Sequence, residues 1–238
     1  MPTGIIVNAC AVMFGGFLGA FFSKKIPERL KKAMPLTFGA ASIGMGVYLI
    51  GELNMLPPVI LSLLLGSAAG ELLKLEKGIE RCADKVRVPI EKLFAKYETE
   101  KGADFLEQFV SIVVLFCASA TSIFGALNEG MTGDSSILLS KSFLDFFTAL
   151  IFAANLGFIV TIVAVPQFLI QISLFFSAAI IMPFVNGQLL GDFSALGGII
   201  MLVTGLRMAQ IKSFPVANML PGLIFIIPIS SLWSHFFN

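Results

Sequence analysis

The chain alternates long apolar stretches with short polar breaks, and the stretches set its architecture. Apolar runs cover residues 4–22, 36–53, 59–73, 105–127, 140–165, 168–185, 193–211 and 214–236. Most are about 17–25 residues long, the length at which a helix crosses the hydrocarbon core of a bilayer. The pattern predicts an all-α polytopic membrane protein with about eight transmembrane helices. The count falls to seven if the regions around Gly157 and Pro221 are read differently. The expected organisation is three N-terminal spans in 1–73, an amphipathic segment in 74–104, and five spans in 105–238.

The polar breaks orient the spans. Residues 23–35 carry Lys24, Lys25, Arg29, Lys31 and Lys32; residues 74–102 carry eight more, from Lys74 to Lys101. These two segments hold 13 of the 16 Lys and Arg residues, which places both in the cytoplasm by the positive-inside rule. Both termini are then expected outside. Asn54–Pro58, Asn128–Ser136 and Asn186–Asp192 read as turns or loops. Asn128–Ser136, with Glu129 and Asp134, is either an ion-attracting vestibule or a solvated loop. Glu71, at the inner end of the third run, reads as solvated. In 74–104, Ile79, Cys82 and Val86 share one helical face and Ile90, Leu93, Phe94 and Tyr97 another, with Pro89 between. That reads as two short helices lying on the membrane surface.

Composition supports the class: 57% of residues are hydrophobic and 13% charged, against about 25% charged in soluble domains. Cys10, Cys82 and Cys117 have no paired spacing, and His235 is the sole histidine. The cysteines suggest neither a disulfide framework nor a metal site, the lone histidine argues against a histidine-based metalloenzyme, and no cofactor is expected. The acidic residues interspersed in 74–102 argue against a nucleic-acid surface. Gly15–Gly19 and Gly66–Gly70 are GxxxG pairs, which permit close helix contact within one chain or between two. A symmetric homodimer is the expected oligomer, because such dimers are the commonest assemblies.

The candidate chemistry lies in 140–157. Lys141, Asp145, Thr148, Phe152 and Asn155 recur at four- and three-residue spacing and so share a helix face. Lipid does not solvate such a stripe. An unpaired Asp145 near the bilayer centre would cost at least about 2.5–3.5 kcal/mol, and Lys141, one turn earlier, is its natural partner. The alternative is that both groups sit at the headgroup level as anchors. Asn8 is either interhelical glue or a ligand facing a path. Gln167 and Gln171 share one face at the start of the sixth run, and Pro166–Gln167 is read as the turn before it. Asn155-Leu-Gly157 marks a bend. Ser111, Ser119, Thr121 and Ser122 bond backbone carbonyls or line a path.

A faint echo links Phe38-Gly-Ala-Ala and Gly51-Glu-Leu to Phe176-Ser-Ala-Ala and Gly191-Asp-Phe. Leu18-Gly19 before Pro27 likewise echoes Leu156-Gly157 before Pro166. This would make two four-span repeats running the same way, with a site near their interface.

Particular residues also carry a resemblance. They are Asn8 with Gly15-Gly16 and Gly19; Lys141-Ser142-x-Leu144-Asp145 with Ala149, Phe152, Ala153 and Leu156-Gly157; and Gly205-Leu206, Ile211-Lys212 and Asn218-x-Leu220-Pro221. On these the chain resembles, over nearly its whole length, the bacterial inner-membrane family of unassigned function typified by YqgA and YdfK. Near the N-terminus it departs, with Thr3-Gly4 where the family tends to have Gly-Thr. The resemblance implies a multi-pass protein of the bacterial plasma membrane and brings no substrate.

Three functions follow from the residues. One is a transporter or channel for a small solute or ion. Asp145 is then the cation or proton ligand, Lys141 its partner, and Asn8, Asn155, Gln167, Gln171 and Asn218 neutral ligands. The second is a structural or regulatory membrane protein acting through 74–102. The third, an intramembrane enzyme, lacks a nucleophile–base pair: Ser140, Lys141 and Ser142 are successive helix positions that point apart. The expectation is a non-enzymatic transporter or channel whose partners are the bilayer and its solute.

Overall fold

A computed structural model describes residues 1–23, 27–79, 81, 112–113, 116–117, 119–185 and 187–237. Among the described residues, the long helices are α1 (Thr3–Phe21), α2 (Glu28–Ile50), α3 (Leu56–Leu73), α4 (Ala120–Thr132), α5 (Ser136–Leu156), α6 (Ala164–Ile181), α7 (Gly187–Met208) and α8 (Gly222–Phe237). Short 3-10 turns at Gly157–Val163, Met182–Phe184 and Val216–Met219 adjoin them. The amphipathic segment 74–104, apart from 74–79 and 81, lies outside the described residues, as does most of 105–118.

Among the described residues, five stretches are long and apolar enough to cross a bilayer: Thr3–Phe21, Leu56–Leu73, Ser136–Ile180, Gly187–Met208 and Val216–Phe236. Leu36–Ile50 is a shorter apolar helix. Large side chains such as Phe14, Phe21, Leu64, Leu72, Phe143 and Ile180 are exposed on the outside, where only lipid would cover them. The protein is an all-helical, polytopic membrane protein.

Ser136–Ile180 is two spans rather than one. Asp145 and Gln167 are 22 positions apart, yet their side chains bond at 2.9 Å; a continuous helix would separate them by about 33 Å. The chain reverses at Gly157, whose φ of +76° and ψ of −157° lie in a region open essentially to glycine alone. The reversal thus comes well before Pro166–Gln167, where the sequence suggested it. Gln167 is therefore inside the returning helix and buried. Phe17 stacks near Phe158, with ring centroids 5.5 Å apart, so the returning segment runs back along α1.

The helix pairings reveal an inverted repeat. Gly39 of α2 packs on Gly205 of α7, and Gly46 on Gly198. A Cβ added at any of the four would lie 2.6–2.7 Å from the opposite carbonyl oxygen. The contacts are reciprocal and the helices antiparallel. Gly39 and Gly46 therefore correspond to Gly198 and Gly205, a shift of 159 positions (198 minus 39; 205 minus 46). The same shift carries α1 onto α6 and α3 onto the Val216–Phe237 stretch. α3 and α8 also cross antiparallel, Gly66 against Gly222 and Gly70 against Asn218. Between the units, α4 and α5 form a hairpin. α5 runs alongside α1, with Phe146 and Leu150 against Gly15 and Gly19. α4 runs alongside α6, with Ser122 and Gly130 near Gln171 and Phe175.

The units are thus three helices each and oppositely directed, not four spans in the same direction. The sequence echo rested on common small residues, whereas the packing is set by where two backbones touch.

Candidate functional site

Asp145 lies in the middle of α5, on the face covered by α1 and α6. Its Oδ2 atom accepts from three donors: the Lys141 ammonium one turn earlier, Asn8 Nδ2 at 2.8 Å and Gln167 Nε2 at 2.9 Å. Lys141 is 3% exposed and Asp145 8%, while Asn8, Gln167 and Gln171 are wholly buried. The pair is therefore inside the protein and not an exposed surface anchor. A buried charge pair of this kind is tolerable only with good geometry and further hydrogen bonds, which the amides supply.

Every amide in the cluster has its orientation fixed by its neighbours. Asp145 accepts, so Asn8 turns its NH2 to it and its Oδ1 the other way. That Oδ1 accepts from Gln167 Nε2 at 2.6 Å and from Gln171 Nε2 at 2.8 Å. Gln171 Nε2 also donates to Ser122 Oγ at 2.7 Å. The glutamine donors are therefore turned inward, and their carbonyl oxygens are left over. Gln167 Oε1 and Gln171 Oε1 are buried with no hydrogen-bond partner. Buried polar atoms without a partner are uncommon and costly.

The site sits where the two units meet. The shift of 159 positions places Gln167 on Asn8, so equivalent positions of α1 and α6 bond to each other and to the same carboxylate oxygen. A helix break borders it at Ser119, and another lies twelve residues beyond Asp145 at Gly157. α4 begins at Ala120 after an extended Ser119 (φ −64°, ψ 128°), interrupting the expected span over 105–127, and its first turn delivers Ser122. Gly157 ends α5.

Of the seven candidate ligands, Asn8, Lys141, Asp145, Gln167 and Gln171 come together. Asn155 does not. α1 and α5 run side by side with Gly19 beside Leu150, so α1 ends about level with Phe152, and Asn155 lies beyond its cover and is exposed. Asn218 belongs to a different network. Its Nδ2 donates to Glu71 Oε2 at 2.6 Å, and its Oδ1 accepts from the Glu76 backbone N–H at 2.8 Å. Glu76 in turn accepts from Ala217 N at 2.9 Å and pairs with Arg207. These bonds hold the 3-10 turn Val216–Met219 against the end of α3. Glu71 is exposed, in keeping with its reading as solvated, and one of its oxygens also accepts the Asn218 bond.

Two carboxylates assigned to loops are also buried. α4 continues through Thr132, so Glu129 is helical and 1% exposed. Its Oε1 accepts from Gly4 N at 2.8 Å, a favourable place for negative charge at the N-terminus of α1. Its Oε2 has no partner. α7 begins at Gly187, so Asp192 is helical and wholly buried. It accepts from Asn54 N at 3.1 Å, Met55 N at 2.7 Å and Ser230 Oγ at 2.7 Å, so it ties the start of α3 to α7 and α8.

Residues 3–231 match the family described as "Protein of unknown function (DUF554)". The chain is 47% identical over 239 residues to "Uncharacterized protein YqgA" of Escherichia coli (strain K12), covering all of both chains. It is 28% identical over 241 residues to "Uncharacterized membrane protein YdfK" of Bacillus subtilis (strain 168), covering 99% of this chain and 98% of the relative. No solved structure matches it. With the match running through α1 to α8 and the Lys141–Asp145 motif within it, the chain belongs to the DUF554 family.

Proposed function

We propose that this protein is a transporter or channel for a small solute or ion, working through the Asp145 cluster. The observation that carries the reading is the position of that cluster. Asn8 and Gln167, equivalent residues of two inverted units, meet each other and Asp145 inside the protein. Secondary transporters are often built from inverted repeats, with their sites at the repeat interface beside broken helices. Asp145 is the charged ligand, Lys141 its partner in the unloaded state, and Asn8, Gln167 and Gln171 the neutral groups. The reading assigns the protein no enzymatic step.

The proposed setting is the bacterial plasma membrane, with 23–35 and 74–102 in the cytoplasm. The charge bias of those segments and the opposed directions of neighbouring helices support it.

Flux into proteoliposomes tests the function. Sodium, potassium, ammonium, amino acids and small organic acids are offered to the wild type and to Asp145→Asn. Uptake of one solute by the wild type and its loss in Asp145→Asn is the expected result. Equal uptake by both proteins would remove Asp145 from the path.

A further inference from the structure

The central cluster leaves two buried carbonyl oxygens without a donor, and those oxygens describe its ligand. Asn8, Gln167, Gln171 and Lys141 all direct nitrogen donors into the cluster, onto Asp145 Oδ2, Asn8 Oδ1 and Ser122 Oγ. Two acceptors remain without partners, the carbonyl oxygens of Gln167 and Gln171, both on wholly buried residues. Turning either amide over does not help. It would set a carbonyl against the carboxylate of Asp145 or against Asn8 Oδ1, and both of those only accept. The two unpaired oxygens are places for a hydrogen-bond donor or a cation, not for an anion. A cation has these two spare amide oxygens, on the side chains whose nitrogens reach Asp145 and Asn8.

We propose that this cluster seats one small monovalent cation, an alkali metal ion or ammonium, and that the Lys141 ammonium is its built-in competitor on Asp145. Oxygen ligands of this kind, carbonyl and carboxylate, suit hard cations. The cation draws on the oxygens of Asp145, Gln167 and Gln171, and the ion pair gives way as it enters. In the same position the Lys141 Nζ lies 5.8 Å from the centre of the Phe116 ring, within range of a cation–π contact. The inference takes the ligand site of the proposed transporter to be this cluster and adds the class of ligand.

The test is thermal unfolding of the purified full chain in chloride salts of sodium, potassium, ammonium and choline at matched ionic strength. A ligand that binds only the folded protein raises the melting temperature with its concentration. The expected result is a saturable rise with at least one of the three small cations and none with choline. In Lys141→Met, which removes the competitor, the midpoint of the rise falls by about tenfold or more. In Gln171→Leu, which leaves the Lys141–Asp145 pair intact, it rises by about tenfold, the scale of one lost charge-assisted contact. Gln171→Leu carries the test by itself if Lys141→Met does not fold. Identical melting in all four salts would overturn the proposal, as would a rise that neither variant moves.

The two readings fail separately. Asp145-dependent flux without a cation effect on melting sinks the cation seat and leaves the transporter. A cation effect that both variants shift, with no flux of any solute, does the reverse.

Discussion

Asn8 and Gln167 hydrogen-bond to each other at 2.6 Å while occupying equivalent positions in two units that run in opposite directions. Asn8 is the hub of the pair. It donates to Asp145 and accepts from both Gln167 and Gln171, whereas Gln167 engages only Asn8 and Asp145. Asn8→Leu is therefore expected to lower stability more than Gln167→Leu. The difference should be about 1 kcal/mol, the usual net worth of one buried hydrogen bond. Melting temperatures of the two variants in one detergent check the order; a larger loss from Gln167→Leu would mean the hub is misplaced.

The Lys141–Asp145 pair gives a second prediction. Removing one partner strands a buried charge, which costs about 3–5 kcal/mol, while replacing both with apolar residues of similar volume is often near neutral. Lys141→Met and Asp145→Leu should each destabilise strongly, and the double variant should recover most of the loss. A melting experiment on the four proteins measures the coupling. Additive losses would show that the two charges do not depend on each other.

The crossing of α2 and α7 allows a comparison within one helix. Gly46 has the Gly198 carbonyl in the way of a Cβ, whereas Gly44, two residues earlier, has nothing within 4 Å. Gly46→Ala should cost about 1–3 kcal/mol through overpacking. Gly44→Ala should gain up to about 1 kcal/mol from helix propensity. If the two substitutions shift the melting temperature alike, the crossing is not where the reciprocal contacts put it.

Gly157 is a matter of backbone conformation and not of space. No atom lies within 4 Å of its added Cβ, yet its φ is +76° and its ψ −157°. Gly157→Ala should lower stability by about 1–3 kcal/mol and reduce whatever activity depends on Gln167, since this turn brings Gln167 back beside Asp145. An Ala variant as stable as the wild type would mean that the reversal is made elsewhere.

Much of this was legible in the sequence, and the gaps have physical causes. Lys141, Asp145, Asn8, Gln167 and Gln171 stood out because lipid cannot solvate them. That argument says only that a residue is inside; it does not say with whom. Asn218 and Asn155 therefore looked like the same kind of residue, although one clamps a 3-10 turn and the other lies past the end of α1. Glu129 and Asp192 were read as loop residues because charge so often marks a span end. Here each is flanked by apolar residues at helical spacing, and each accepts from backbone N–H at the start of another helix, Gly4 for Glu129 and Asn54 and Met55 for Asp192. The inverted symmetry had one faint trace, the matched spacing of Gly39–Gly46 and Gly198–Gly205. Few identical residues accompany it, because the repeat preserves close backbone contact rather than side chains.

Access to the cluster from the two faces of the membrane tests the central claim most directly. Ser122→Cys, nearly isosteric and in contact with Gln171, is placed in a protein whose Cys10, Cys82 and Cys117 are replaced by Ser. A membrane-impermeant thiol reagent is then applied to right-side-out and to inside-out vesicles. A transport path through the cluster predicts labelling from both sides, reduced when Asp145→Asn is added. Labelling from neither side, with the protein folded, would show a sealed structural core and contradict the account.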